Sequence, residues 1–391
     1  MSDAIVVGAG PAGSTAALTM ARRGLDVLLL DAQPFPRRKI CGGAVAARAF
    51  SLLDEEFYAA FSKNAVRGVI FAYGGDLPVR YDREEPYAYI VDRAEFDQYL
   101  VERAQRVGVR FRDAAEVTAV RTEAHLVRVI AGGEEFRARF VVAADGVRGR
   151  TARLAGIGGP PDLALTLEAD VPDDLGVRAR LDGALLIDYG AVRSGYGWIF
   201  PRGDGLSVGI GTFGALSGSA LRSAFRRFVA AYLPGLDPAS VAVRGYLVPR
   251  GGRRRGPLCR GRVLVAGDAA GLADPFFGEG IHWAMLSGKL AGEAVAAALG
   301  GEPLERYAER VDHEIGRELR IARYTSLLFY RMPGFFHRHL VSKKEIIGQF
   351  LDMVAGHQGY RAMVLWLMAN LVRQVLARPA PAGAEGGVFK S

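Results

Sequence analysis

The sequence predicts an α/β fold: a parallel sheet of the nucleotide-binding type, an antiparallel sheet inserted into it, and a helical C-terminal region. Three observations predict it. A short apolar strand runs into a glycine turn at residues 4–13, a second ends at Asp145, and a third ends at Asp268. The segments between them alternate with period two, which is typical of antiparallel strands, and the chain after them shows helical patterns.

The first strand and its turn carry the strongest motif. The apolar run 4–7 is followed by Gly8, Gly10 and Gly13 in the spacing G-x-G-x-x-G, and a helix is predicted over 14–24. Between a strand and a helix, the first glycine permits the tight turn, the second lets the backbone approach a pyrophosphate, and the third lets helix and strand pack closely. The helix N-terminus also favours phosphates. These features predict a Rossmann-type dinucleotide site.

The second predicted strand, residues 26–30, ends on Asp31, which lies 18 residues after Gly13. This is close to the ~20-residue spacing of a carboxylate that binds ribose hydroxyls. The following segment contains two prolines that forbid a helix, a basic cluster and the turn Cys41-Gly42-Gly43. One interpretation is a solvated loop with a buried cysteine. The other is a loop whose backbone approaches a flat ligand at the two glycines.

The next segments are predicted as helix over 44–53, antiparallel sheet over 65–91, and helix over 93–105. Arg93 lies near the start of the last helix, where an anion is expected, although an ordinary surface charge is the alternative. The apolar strand that ends at Asp145 is followed by glycine. An acid-glycine turn after a buried parallel strand again indicates the edge of a cofactor site.

Residues 165–215 return to antiparallel sheet and contain Tyr196, Trp198 and Phe200 at alternate positions. Alternate residues of a strand point to the same face. The three side chains therefore form either an aromatic stripe of the core or one wall of a large apolar pocket, and both interpretations remain open.

The third buried strand ends in Gly267-Asp268, and Gly280-Ile281 opens a helix predicted over 282–299. A carboxylate at this position suits a polyol chain. The backbone amides at the helix start suit the edge of an electron-rich ring that gains negative charge on reduction.

Residues 304–376 are predicted to be helical, and residues 378–391 are predicted to form a disordered tail. The apolar run 363–372 is shorter than the ~20 residues that span a bilayer. It is either a buried helix or a lid or membrane-facing surface over a lipid pocket. The predicted domains are a dinucleotide-binding domain (1–64, 92–160 and 246–302), a substrate-binding sheet domain (65–91 and 161–245) and a C-terminal helical region (303–377).

Composition excludes several classes of protein. The 391 residues include 50 basic and 42 acidic side chains, for a net charge of +8, and no basic block with interleaved aromatic residues occurs. Nucleic-acid binding is therefore not expected, whereas an anionic membrane face or an anionic substrate fits the basic surplus. The two cysteines, Cys41 and Cys259, form no metal-ligand or disulfide pattern. Without a signal-peptide pattern or a bilayer-spanning run, we expect a cytoplasmic protein, in solution or peripheral to a membrane.

Four motifs stand in order over most of the chain: the glycine turn, Asp92-Arg93, Asp145-Gly146 and Gly267-Asp268. Together they resemble the p-hydroxybenzoate hydroxylase-like class of FAD proteins. Within that class the chain is similar to the geranylgeranyl reductase family. The segments that carry this second resemblance are Phe35–Gly43, Tyr196–Pro201, Gly278–Ile281 and Ser287-Gly288. The chain departs from the family pattern P-x-x-Y-x-W-x-F-P at Arg193, and it lacks the W-x-W-x-I-P pattern of flavin halogenases.

The resemblance implies FAD as the cofactor. It implies hydrogenation of isolated C=C bonds in a geranylgeranyl or polyprenyl chain of a lipid, quinone, chlorophyll-type molecule or prenyl diphosphate, by hydride transfer from reduced flavin. The reductant would be external, NADPH or an electron-donor protein such as ferredoxin, because no second strong dinucleotide motif is present. The implied flavin contacts are Gly13, Asp31, Cys41, Gly42, Ala44, Arg93, Val117, Asp268, Gly280 and Ile281.

Tyr196 and Trp198 would then wall the prenyl channel, where their π faces would tolerate cationic character on the substrate. Cys41 would act as a proton donor or gate, or serve as a structural cysteine. Two other functions remain: an FAD-dependent aromatic-type monooxygenase on the same fold, and a non-catalytic flavin-binding protein. The apolar aromatic stripe and the Cys-Gly-Gly loop favour the reductase.

Overall fold

The computed structural model describes residues 1–53, 55–159, 162–252 and 256–376; the tail predicted over 378–391 lies outside them. The strands are β1 Ser2–Val7, β2 Val27–Leu30, β3 Ala44–Ala46, β4 Ala65–Val66, β5 Gly68–Tyr73, β6 Asp76–Asp82, β7 Ala88–Ile90, β8 Arg110–Arg112, β9 Val117–Thr122, β10 Val127–Ala131, β11 Glu134–Ala143, β12 Leu163–Pro172, β13 Ala184–Asp188, β14 Gly195–Arg202, β15 Gly205–Thr212, β16 Arg244–Pro249, β17 Cys259–Arg260 and β18 Val263–Val265. The helices are α1 Pro11–Ala21, α2 Ala47–Phe50, α3 Glu55–Phe61, α4 Arg93–Arg106, α5 Thr151–Leu154, α6 Val177–Leu181, α7 Gly218–Tyr232, α8 Ile281–Leu299, α9 Arg306–Val311, α10 Arg317–Arg331, α11 Pro333–Phe336, α12 Lys344–Ala355 and α13 Tyr360–Leu376.

The first large sheet has a parallel centre. Its strand order is β17-β18-β11-β1-β2-β8, with β10 and β9 joined to β11, and β1 runs parallel to both β11 and β2. The central strands are buried on both faces, as their continuous apolar runs predict. Helices α1 and α8 cross so closely on one face that a Cβ on Gly288 would lie 2.1 Å from the carbonyl oxygen of Ala12. Small residues on both helices make this crossing sterically accessible.

The second large sheet is mostly antiparallel, in the order β16-β12-β15-β14-β13-β5-β6, with a parallel pair at β13 and β5. Residues distant in the chain therefore meet in it, since β5 and β6 lie before α4 and the other strands lie after α5. A third, small sheet has the order β3-β7-β4.

The prediction of a helix over 44–53 is wrong at its start. Residues 44–46 form β3, which pairs antiparallel with β7, and only Ala47–Phe50 is helical. Alanine has no strong intrinsic preference for a strand, so the pairing partner decides its conformation. The single antiparallel sheet predicted over 65–91 is also divided: β5 and β6 join the second large sheet, whereas β4 and β7 join the small one.

The C-terminal helices pack on the second sheet. Phe71 and Trp198 of the sheet share one apolar cluster with Phe329 of α10, Ile347 of α12 and Tyr360 of α13. Among the helices in the described part of the chain, none combines the length and the apolar character needed to cross a bilayer.

Candidate active site

One cavity of about 670 Å³ connects the two large sheets and brings together most of the residues singled out in the sequence. Its polar part is bounded by the glycine turn, the loop around Lys39 and the turns after β11 and β18; its apolar part is bounded by the inner face of the second sheet and α12. The predicted site residues on its wall are Gly8, Gly10, Asp31, Cys41, Gly42, Ala44, Arg93, Val117, Tyr196, Trp198, Asp268, Gly280 and Ile281.

Gly13 is the one predicted site residue that is not on the described cavity wall. A Cβ on Gly13 would lie 1.8 Å from the carbonyl oxygen of Gly8, so its hydrogen lets α1 pack directly on the turn. Gly8 has φ +98°, and a Cβ there would meet the carbonyl oxygen of Ala144 at 2.4 Å. Gly10 caps α1 without a side-chain hydrogen bond. At its glycines the turn thus presents backbone to the cavity.

Asp31 fixes the shape of this turn from the end of β2. One carboxylate oxygen accepts a hydrogen bond from the Ala9 amide at 2.8 Å, and the other accepts one from the Gln33 amide at 3.0 Å. The Arg37 guanidinium lies 3.4 Å from the same carboxylate and 3.1 Å from Asp97. Asp31 therefore serves the turn as well as facing the cavity.

Arg93 is buried at the first position of α4, behind the N-cap Asp92, whose carboxylate accepts from the Ala94 amide. Its Nε and Nη2 each donate to Asp97 at 2.9 Å. Burial opposes its charge, but Asp97 and Cys41 together raise the pKa of the Arg93 guanidinium above its usual value. Arg93 therefore stays charged on the cavity wall, which agrees with the expectation from sequence that it binds an anion there.

The sequence analysis did not single out Lys39, because in the sequence it looks like any other member of the basic cluster 37–39. It lies deep in the polar part, where its ammonium donates to the Tyr246 hydroxyl and stands 4.0 Å from the centroid of that ring. Burial lowers the pKa of Lys39 to about 8, although Asp268 pulls it upward. Burial likewise raises the pKa of Asp268, against the nearby charges of Lys39 and Arg93. Only the tertiary fold places these groups together.

The loop 41–43 is pressed against the aromatic stripe. A Cβ on Gly42 would lie 3.1 Å from the Phe200 ring and 3.2 Å from Trp198 Nε1. Gly43 has φ +82°, and a Cβ there would meet a backbone oxygen at 2.5 Å. Arg202 donates to the Cys41 carbonyl at 2.6 Å and fixes the loop from β14. The two glycines thus let this backbone reach the cavity between its polar and apolar parts.

The aromatic stripe of β14 is a wall of the cavity. Tyr196, Trp198 and Phe200 all line it; Tyr196 donates to the Phe277 carbonyl, and Trp198 Nε1 donates to Ser207 at 3.2 Å. Both interpretations left open by the sequence apply, because the stripe lines the cavity and its Trp198 and Phe200 also belong to the buried apolar cluster beneath the C-terminal helices. The remaining apolar surface comes from distant segments: Val69, Phe71, Tyr87, Leu185, Ile187, Phe213, Phe277, Phe350 and Val354.

Two carboxylates to which the sequence analysis assigned no role, the buried Asp274 and the half-buried Glu279, hold the cavity together. Asp274 accepts from the amides of Phe276 and Phe277 and from the Tyr360 hydroxyl at 2.7 Å, which ties α13 to the turn before α8. Glu279 accepts from the His282 amide at 2.8 Å and from Arg48 at 3.0 Å. The spacing Glu-x-x-His at the start of a helix was the available signal for this second cap.

Two sequence expectations concern residues away from the cavity wall. Arg193, which replaces the family proline, has an exposed side chain, and its carbonyl accepts from Thr212 at 2.9 Å; this departure does not reach the cavity. The apolar run 363–372 lies on α13 and is not a fully buried helix, because Leu365 and Met368 expose more than half of their surface.

The polar part fits FAD by its chemistry. The backbone turn and the cations of Arg37, Lys39 and Arg93 suit a diphosphate, and the carboxylates of Asp31 and Asp268 suit hydroxyl groups. Asp145 also lines this part, and its Oδ1 is buried without a hydrogen-bond partner among the described residues. At the start of α8 the N-cap residue Gly280 has no side chain of its own, Glu279 accepts from the His282 amide, and Gly280 and Ile281 lie on the cavity wall.

The comparisons with known proteins agree with this chemistry. Residues 1–173 match the model of the FAD binding domain family. Digeranylgeranylglycerophospholipid reductase 2 of Methanopyrus kandleri is 32% identical over 85% of this chain and 87% of its own length. Menaquinone reductase of Mycobacterium tuberculosis is 32% identical over 84% of both chains.

Among solved structures, a geranylgeranyl bacteriochlorophyll reductase-like protein from Thermoplasma acidophilum superposes with a TM-score of 0.74 over 91% of both chains, at 22% identity. At that identity the likeness concerns the fold alone, and it confirms the α/β class with its helical C-terminal region. The two sequence relatives each cover more than four fifths of this chain. The chain belongs to the geranylgeranyl reductase family of FAD-dependent oxidoreductases.

Proposed function

We propose that this enzyme hydrogenates isolated C=C bonds of a geranylgeranyl or polyprenyl chain carried by a lipid or quinone. The observation that carries the proposal is the continuity of one cavity, whose polar part suits FAD and whose apolar part is lined by aromatic and aliphatic side chains from distant segments of the chain. The names of the relatives point to substrates of this class. The boundary between the two parts is the loop 41–43 and the start of α8, where the flavin ring is expected.

Bound FAD in its reduced form would supply the hydride in this reaction. The chain's own residues must hold the double bond against the flavin, at roughly 3–3.5 Å between reacting atoms, and exclude water. Trp198 and Phe200 press on Gly42 and so fix the distance between the apolar wall and the loop beside the flavin. Tyr196 is held by its hydrogen bond to the Phe277 carbonyl, which leaves its ring facing the cavity.

In an isolated alkene, cationic character would develop at the branched carbon as a proton reaches the less substituted carbon, and the hydride would be delivered to the branched carbon. The faces of Tyr196 and Trp198 would stabilise that charge by cation–π attraction. Burial raises the pKa of the Tyr196 hydroxyl, so this group stays neutral and adds no anion to the pocket. The less substituted carbon must therefore receive that proton from the protein. Cys41 lies on the cavity wall beside Arg93 and is our candidate for the proton donor or gate.

The electrons would come from an external donor, NADPH or a protein such as ferredoxin, because the sequence contains no second strong dinucleotide motif. A prenyl lipid as substrate also implies peripheral contact with a membrane. Both statements rest on the proposed substrate, and each has its own readout: oxidation of added NADPH or ferredoxin, and binding to vesicles.

The deciding experiment measures product mass after the FAD-loaded, dithionite-reduced enzyme is incubated with digeranylgeranylglycerophospholipid, menaquinone or geranylgeranyl diphosphate, once without oxygen and once in air. We expect hydrogen pairs to be added to one of these substrates without oxygen, and their number counts the bonds reduced. If an oxygen atom is added to the substrate, and only in air, the protein is a monooxygenase and the reductase proposal is wrong. An unchanged substrate under both conditions would leave a flavin-binding protein without this activity.

The role of Cys41 is tested separately with Cys41→Ala, using Cys259→Ala as the matched control because Cys259 lies outside the cavity lining. If Cys41 delivers the proton, turnover should fall about 100-fold while FAD content is unchanged, which is the lower range for loss of a general acid. Turnover equal to that of the control would eliminate this role and leave Cys41 as a packing residue.

A further inference from the structure

The outer face of α10 and α11 is apolar although it is exposed. Tyr324, Leu327 and Leu328 of α10 expose 73%, 50% and 53% of their surface, and Phe335 of α11 exposes 51%. With Met332 between the two helices, also exposed, these residues form what we call the α10–α11 outer face. Several large apolar side chains exposed side by side usually mark an interaction surface, whereas single exposed ones are ordinary.

Helix α7 provides the ordinary case in the same molecule. It packs Leu221, Phe225 and Phe228 inward, and its exposed positions include Arg222 and Arg226. Helix α10 also buries an apolar set, but its exposed side repeats apolar residues at positions 324, 327 and 328. Since its inner face already packs on the second sheet, the outer apolar residues are not needed for the core of the described fold.

The charge around this face has one sign. From residue 319 to residue 344 the sequence has six Lys and Arg residues and no Asp or Glu. Arg331 and Arg338 are exposed beside the outer face, and in the described part of the chain neither forms an ion pair with a carboxylate. Two other cations of this stretch, Arg320 and Arg323, do pair with carboxylates, those of Asp312 and Asp162. Exposed apolar side chains next to cations without a carboxylate partner, as Arg331 and Arg338 are among the described residues, are the pattern of a helix that lies in the interface of an anionic bilayer.

The outer face also lies on the layer that covers the apolar part of the cavity. On the inner side of α10, Ser326 donates to the Pro275 carbonyl at 2.8 Å and Tyr330 donates to the Phe276 carbonyl at 2.9 Å. The next residue, Phe277, lines the cavity. Only helix α10 would thus separate a bilayer on the outer face from the apolar part of the cavity, where the prenyl chain of a membrane lipid is proposed to bind. The significance of this closeness to the cavity rests on the proposed prenyl substrate, whereas the exposed apolar residues and the neighbouring cations are independent of it.

We propose that the α10–α11 outer face docks the enzyme on the surface of an anionic lipid bilayer. Tyr324, Leu327, Leu328 and Phe335 would enter the boundary between headgroups and acyl chains, and Arg331 and Arg338 would contact lipid phosphates. The enzyme would remain peripheral, in agreement with the helices described above.

The test is co-sedimentation of the FAD-loaded protein with vesicles, without substrate, so that vesicle binding and turnover are scored independently. One set of vesicles is phosphatidylcholine alone, and the other contains equal parts of phosphatidylcholine and phosphatidylglycerol. We expect binding to the anionic vesicles, weakened by added salt, and at least about tenfold weaker binding to the neutral ones. Equal binding to both, or none to the anionic vesicles, would overturn the proposal.

Two variants locate the surface. Leu327→Ser with Phe335→Ser, and separately Arg331→Glu with Arg338→Glu, should each reduce binding to anionic vesicles at least about tenfold. The matched controls are Leu175→Ser, another exposed apolar residue, and Arg226→Glu on α7, which should bind as the unaltered protein does. Unfolding temperature and flavin content verify that each variant is folded. Undiminished binding in both test variants would overturn the assignment of this face.

Sedimentation velocity without vesicles examines the competing occupant, a second copy of this chain. We expect the unaltered protein and the Leu327→Ser, Phe335→Ser variant to have the same mass in solution. A dimer that becomes a monomer in the variant would assign the face to self-association and overturn the membrane proposal.

Discussion

The polar and apolar parts of the cavity are built in different ways. The polar part consists of turns at the ends of neighbouring parallel strands, where hydrogen bonds such as Asp31 to the Ala9 amide fix individual groups. The apolar part is a packed surface to which β5, β14 and α12 contribute side chains from distant points in the chain. A single backbone clash is therefore enough to disturb the polar part, whereas the apolar part depends on how distant elements pack together. Variants that separate FAD binding from turnover test this contrast.

The largest effect is expected from Gly13→Ala. The new Cβ would lie 1.8 Å from the carbonyl oxygen of Gly8, so α1 must move away from the turn. We expect bound flavin to be lost and the free energy of unfolding to fall by about 3 kcal/mol, the upper range for overpacking. Flavin absorbance per protein and urea unfolding measure the two quantities. Gly218→Ala is the control, because a Cβ there has nothing within 4 Å. Equal behaviour of the two variants would contradict the tight packing of the turn.

A smaller loss of stability is expected from Tyr360→Phe. Its hydroxyl is the only group of α13 described as bonding the buried Asp274 carboxylate, at 2.7 Å. Removing it should lower the free energy of unfolding by about 2 kcal/mol, as for other hydrogen bonds to charged groups. The polar part should keep its FAD. Tyr324→Phe is the control because its hydroxyl is in solvent. A stability equal to that control would show that Asp274 does not hold α13 in place.

The apolar part is tested by Phe350→Ala on α12. Phe350 lies 4.9 Å from Phe277 between ring centroids, and both line the cavity. We expect KM for the prenyl substrate to rise about tenfold, equivalent to about 1.4 kcal/mol, because part of the wall is removed. FAD content should not change. Steady-state kinetics with Leu175→Ala as surface control measure the effect. Loss of flavin in Phe350→Ala, with KM unchanged, would reverse the assignment of the two parts.

The smallest effect concerns pH. Burial lowers the pKa of Lys39 to about 8 from 10.5, so its charge is lost as pH rises through about 8. The affinity for the anionic FAD should then fall a few-fold between pH 7 and 9. In the FAD-free protein, the unfolded chain binds the Lys39 proton more tightly than the folded chain does. The free energy of unfolding should therefore increase as pH rises from about 8 to 10.5.

Both pH dependences should disappear in Lys39→Met and remain in Lys63→Met, whose side chain is exposed. Fluorescence titration with FAD and urea unfolding across this pH range are the measurements. Identical pH profiles for Lys39→Met and the unaltered protein would show that another group titrates.

The amino-acid sequence by itself determined the backbone frame of the polar part. Gly8, Gly10, Gly13 and Asp31 lie within one strand–turn–helix–strand unit, and at Gly8 and Gly13 the local geometry leaves no room for a side chain. Asp268 could be recognised in the same way, at the end of its own buried strand. The alternation of Tyr196 and Trp198 also predicted a common face, because period two is a property of any strand.

Only the tertiary structure decided which groups meet. The same alternation is compatible with a core stripe, and the cavity wall was distinguished by the approach of the loop 41–43 and of α12. Lys39 acquired its lowered pKa from burial, and β3 became a strand because β7 lies beside it. Burial and pairing depend on residues far away in the chain, so no local pattern records them. Motifs whose physics is local are therefore readable from sequence, whereas the apolar part and the outer face of α10 required the assembled fold.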